Sequence, residues 1–188
     1  LSDSQEDVEI GAVNEDSSGL KFLPLDYGSN SGNFKVPLLP NYNWEVTQSW
    51  AEHCSICDKK YGGGFCGYSH SKACCEYGWD FNLPGTADSG KAVLASADGY
   101  VKEVKVGYNN GWGNSVIVDH GNNICTRYSH MLDDSITVSS GKKVCQGMKL
   151  GEIGNTGDSE GSHLHFQFQS CSDGKGLKMG FTDGNQIP

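Results

Sequence analysis

The chain has 188 residues, enough for one domain with a hydrophobic core of its own. Its net charge of −9 at pH 7 argues against an electrostatic grip on nucleic acid or anionic lipid. No run is long and apolar enough to span a membrane as a helix. The 26 glycines recur in Asn-Gly, Asp-Gly and Pro-Gly pairs, and long helical periodicity is missing, so the expected class is all-β, with short strands joined by tight turns.

Residues 1–33 read as an acidic flexible segment or propeptide remnant. Asp3, Glu6, Asp7, Glu9, Glu15, Asp16 and Asp26 face only Lys21 within the first thirty positions, and such a stretch cannot offset its ordering entropy by burial. It is expected to be mobile, or loosely docked through the apolar patch at 20–25. The chain does not open on Met or a signal-peptide pattern, which is read as a mature or trimmed form.

The folded domain is expected at 34–188, beginning near Phe34. A cysteine-dense loop region follows at 51–76, with Cys54, Cys57, Cys66, Cys74 and Cys75; the remaining cysteines are Cys125, Cys145 and Cys171. Eight cysteines suit up to four disulfides in an oxidising compartment. The competing reading is a structural zinc site on Cys54 and Cys57 with His53 or Cys66. Strands are predicted at 79–83, 92–95, 99–106, 115–119, 125–130, 149–153 and 163–169, separated by turn signals and without internal repeat. The tail at 172–188 is polar and glycine-rich.

The strand at 163–169 carries the clearest chemical signal. In Gly161-Ser162-His163-Leu164-His165-Phe166-Gln167-Phe168 polar and apolar residues alternate, so His163 and His165 share one face and Leu164, Phe166 and Phe168 the other. Two exposed strand histidines are the bland alternative. A neutral imidazole is also the commonest metal ligand and a base near neutral pH, so the pair can form half of a zinc site. Asp80, in Gly78-Trp79-Asp80-Phe81-Asn82-Leu83-Pro84-Gly85-Thr86, is the best carboxylate candidate, because an ionised Asp among bulky apolar neighbours needs a cation or several donors. Its alternative is a carboxylate bonding turn amides. His130, in Tyr128-Ser129-His130-Met131, closes another strand.

These motifs, with Val116-Ile117-Val118-Asp119-His120-Gly121 between them, resemble in type and order the lysostaphin-like zinc metalloendopeptidases, which include the β-lytic and staphylolytic peptidases. The resemblance covers about 46–170. It implies a compact antiparallel β fold with zinc in a groove, Asp80 and His165 as metal ligands, and His163 as the catalytic base. It implies that His130 helps hold the water or the tetrahedral oxyanion. The family's first ligand is a histidine four residues before the aspartate, where this chain has Glu76. Three options stay open: His70 as ligand, since some members place Ser-His about ten residues before the aspartate and Gln48 fits that subgroup; Glu76 itself; or neither, in an inactive relative. The set expected here is His70, Asp80 and His165, with His53 a weaker substitute.

His120 is read as structural or surface-exposed, and Trp112 and Tyr108 as groove-lining or ordinary hairpin residues. The resemblance implies a monomeric, secreted or periplasmic zinc endopeptidase cutting the peptide crosslinks of bacterial peptidoglycan. A ligand-deficient binding or regulatory module and a protease on glycine-rich matrix proteins are the alternatives.

Overall fold

A computed structural model describes residues 14–15, 21–22, 33–49, 77–85 and 87–182. His53, His70, Glu76 and the cysteine-dense stretch therefore lie outside the described residues. Strands β1 (Asn14–Glu15) and β2 (Lys21–Phe22) pair as a small antiparallel ribbon. Nine more follow: β3 (Glu45–Ser49), β4 (Gly78–Asn82), β5 (Ala92–Leu94), β6 (Gly99–Lys105), β7 (Asn114–Asp119), β8 (Ile124–Met131), β9 (Lys143–Val144), β10 (Lys149–Glu152) and β11 (Leu164–Ser170). The fold is all-β, as expected, and among the described residues no helix is long and apolar enough to cross a membrane.

The principal sheet has seven strands in the order β3-β4-β11-β8-β7-β6-β9, every pairing antiparallel, and β5 and β10 form a separate ribbon. The alternating pattern places Trp79 and Phe81 of β4, Tyr128 of β8, and Leu164, Phe166 and Phe168 of β11 in one apolar cluster. Val93 of the β5–β10 ribbon, Leu150 and Ile153 join it. Inside, Phe34 stands edge-on to Phe168 at 4.9 Å between ring centroids. Phe181 closes the same cluster, 5.3 Å from Trp79 and 5.1 Å from Phe166, so a tail read as polar returns to the core through one aromatic ring.

Two strands of the sheet, β3 and β9, escaped the sequence pattern. Both are edges of the principal sheet, where a strand is held by backbone bonds on one side and needs little apolar signature. His120 is buried rather than surface-exposed. Its Nδ1–H donates to the Asp98 carbonyl at 2.7 Å, and its Nε2 lies 2.8 Å from Thr126 Oγ1. Thr126 Oγ1 in turn lies 3.0 Å from the Tyr128 hydroxyl, which accepts the Ser96 amide at 2.8 Å. A disulfide joins Cys125, in β8, to Cys171, just past β11. Among the described residues Cys145 is exposed and unpaired, and the five cysteines at 54–75 lie outside them.

Candidate metal centre

The candidate groups stand on the face of the principal sheet opposite the core. His165 of β11 pairs in register with Asp80 of β4 on one side and with Ser129 of β8 on the other. Cross-strand partners share a face, so the aromatic side chains at 79, 81, 164 and 166 anchor the core while Asp80 and His165 meet behind them. His165 Nδ1 lies 2.8 Å from Asp80 Oδ1, and His163 Nε2 lies 3.8 Å from the same oxygen. Asp80, His130 and His165 are all buried.

His130 reaches this face by a different route. Simple alternation from Tyr128, a core residue, would turn His130 toward the core as well. Between Val116↔Tyr128 and Asn114↔Met131, however, β8 spends one residue more than β7, a bulge spanning Ser129 and His130. His130 takes a left-handed backbone conformation with φ +60°, and its amide donates to the Trp112 carbonyl at 3.0 Å. The bulge re-aims its ring, which stands 4.7 Å from the His163 ring and 6.1 Å from the His165 ring between centroids.

Two of the rings are locked through Nδ1. His130 donates from Nδ1 to the Thr156 carbonyl at 2.8 Å, and His163 donates from Nδ1 to the Gly161 carbonyl at 2.8 Å. In a neutral ring each therefore carries its bare lone pair on Nε2. The Thr156 carbonyl is itself fixed: the Asn114 amide donates to Thr156 Oγ1 at 2.9 Å, which donates to the Met131 carbonyl at 2.7 Å. The loop fits because Gly113 has no side chain; a Cβ there would collide with the Thr156 carbonyl oxygen. Burial above all, then the neighbouring His163 and His165 rings, pushes the His130 pKa down to about 4, against opposing pulls from the Thr156 carbonyl and Asp80. His130 is thus a neutral base at neutral pH.

Trp112 covers the site from the β6–β7 loop. Its ring lies 5.1 Å from that of His165, and the Arg127 guanidinium sits 4.6 Å from the Trp112 ring. Tyr108, by contrast, is exposed.

Among the described residues, Asp80 and His165 offer two donors of the kinds a zinc ion takes. A carboxylate and an imidazole meet with oxygen and nitrogen at hydrogen-bond distance, and both donor types are common zinc ligands. Beside His165 the fully buried Ser129 Oγ has no hydrogen-bond partner among the described residues. The third ligand of the expected set, His70, and its rival Glu76 lie outside the described residues. Sequence reasoning passed over Thr156, whose role is carried by a backbone carbonyl without any signature, and Gln167, which the alternation already placed on the same face as His165.

Four known structures or proteins and one family model are similar to this chain. The chain is 40% identical over 91 residues to the peptidoglycan DD-endopeptidase ShyA of Vibrio cholerae, covering 48% of this chain and 19% of that protein. It is 37% identical over 159 residues to the DD-carboxypeptidase/endopeptidase Mpg of Neisseria meningitidis, covering 85% of this chain and 28% of that protein. The chain thus spans less than a third of either relative. Among solved structures, lysostaphin from Staphylococcus simulans superposes with a TM-score of 0.52 at 25% identity, covering 74% of this chain and 47% of that one. A SpoIIIAH–SpoIIQ complex gives 0.55 at 21% identity, covering 77% and 96%, a likeness of fold. The model of peptidase family M23 matches residues 76–178, a stretch that holds Asp80, His130, His163 and His165 and more than half of the chain. The chain therefore belongs to peptidase family M23.

Proposed function

We propose that this chain is a zinc-dependent endopeptidase that hydrolyses peptide crosslinks of bacterial peptidoglycan, acting as a monomer outside the cytoplasm. One observation carries the reading: two buried or half-buried imidazoles, His130 and His163, have Nδ1 tied to backbone carbonyls beside the Asp80–His165 pair. Both rings are thereby held by Nδ1, and His163 Nε2 lies 3.8 Å from Asp80 Oδ1. The name of the Vibrio relative, a peptidoglycan DD-endopeptidase, supports the peptidoglycan substrate, and that of the Neisseria relative supports endopeptidase activity.

Asp80 and His165 would hold the zinc together with His70. When bound, zinc lowers the pKa of a water and polarises the scissile carbonyl. His163 Nε2 accepts a proton from the attacking water as its oxygen bonds to the carbonyl carbon. The C–N bond then breaks, and His163 returns that proton to the departing amine. His130 contributes first as an acceptor that orients the water, since its Nδ1 proton is committed to Thr156. It can donate to an oxyanion only after its own Nε2 is protonated.

The test is release of soluble fragments from purified peptidoglycan, with and without a zinc chelator. Chelator-sensitive appearance of new amino termini is the expected outcome. Folded protein that releases none from several crosslink types refutes the proposal.

A further inference from the structure

Gln167 lies two residues beyond His165 on the same face of β11, and its amide is almost wholly buried. A buried amide is costly unless its polar atoms are bonded. Its Oε1 lies 3.4 Å from His165 Nε2. Opposite it on β4 is Gly78, and a Cβ there would fall 2.9 Å from His165 Cε1 and 3.3 Å from Nε2. The missing side chain is what lets the imidazole lie across β4 toward Gln167. On the other flank Arg127 donates from Nε to Gln169 Oε1 at 2.9 Å, so the neighbouring glutamine has a different engagement.

The two ends of the His165 ring compete for one proton. Asp80 Oδ1 and Gln167 Oε1 are both acceptors, and a neutral imidazole carries a single N–H. In a neutral ring with its proton on Nδ1, the 2.8 Å contact is a hydrogen bond to Asp80, while the 3.4 Å contact to Gln167 is long. When Nδ1 gives its lone pair to a metal, its proton must leave and Nε2 must carry one. The ring stays neutral, one proton going to solvent and one returning. The acceptor already in place for the new N–H is Gln167 Oε1. A ligating histidine whose second nitrogen donates to a fixed acceptor is oriented and made a better ligand.

We propose that Gln167 is a positioning residue for zinc: it accepts the Nε2 proton of His165 and thereby holds Nδ1 toward the Asp80 side, with Gly78 providing the room. This inference rests on the zinc reading above. The test is zinc affinity, measured by chelator competition on the whole chain, for wild type, Gln167→Leu and Gln167→Glu, with Asp80→Ala as the site control. Gln167→Leu is expected to bind zinc about 10–100-fold more weakly and Gln167→Glu, which keeps the acceptor, to return to within a few-fold of wild type. A second readout needs no variant: 15N NMR of the zinc-loaded wild type should show the His165 proton on Nε2.

Gln167→Leu that is folded and binds as tightly as wild type overturns the inference while leaving the metal site standing. So does a His165 ring without a proton on Nε2. Wild-type protein that binds no zinc, or binds it unchanged after Asp80→Ala, overturns the zinc reading first and this inference with it.

Discussion

Acid should destabilise the metal-free protein through His130, and the size of the effect follows from its burial. The ring is buried and its pKa is pushed down to about 4, from 6.5 in an open chain. Between those values the unfolded chain binds the proton that the folded chain refuses, so unfolding becomes easier as pH falls. The contribution is intact above about pH 6.5 and is lost progressively as pH falls toward about 4. A difference of that size is worth roughly 3 kcal/mol in full, and about 2 kcal/mol between about pH 7.5 and 5.

Asparagine is the informative replacement, because it tolerates the φ of +60° at this bulge and does not titrate. Guanidinium unfolding of zinc-free wild type and His130→Asn should therefore give stability curves that run apart by about 2 kcal/mol over that pH span, the wild type falling more steeply. His120, also lowered by burial, titrates in both proteins and cancels in the difference. Parallel curves would refute the assignment of a desolvated, neutral His130.

Three further outcomes are expected. His163→Ala and His130→Ala should each keep zinc, by metal analysis, yet lose about 100-fold or more of peptidase rate, as removal of a general base does. Tyr128→Phe should cost about 1–3 kcal/mol in chemical denaturation, because the Ser96 amide loses its buried acceptor. Replacing Cys125 and Cys171 together by alanine opens a loop with a sequence separation of 46 and should lower stability by about 4 kcal/mol if unfolded-chain entropy dominates. A change below about 1 kcal/mol would point to a denatured state that stays compact without the bond.

The sequence by itself determined the fold class and named the candidate residues of the site. Turn-forming pairs and period-two alternation sufficed for the central strands, because those strands bury one face in the core and must show it in their residues. The same alternation put His163, His165 and Gln167 on one side of β11 and left Leu164, Phe166 and Phe168 for the core. Asp80 was legible as a charge that its apolar neighbours could not tolerate without a partner.

Tertiary structure alone decided the rest. His130 reaches the site only through a bulge, and a bulge is a mismatch between two strands that neither strand encodes separately. The protons of His130 and His163 are placed by backbone carbonyls of Thr156 and Gly161, groups every residue possesses and no motif can mark. The edge strands β3 and β9 and the inward return of Phe181 depend on neighbours far along the chain. A pattern read within one segment captures which side chains share a face; where two segments must meet, the distances between them carry the information.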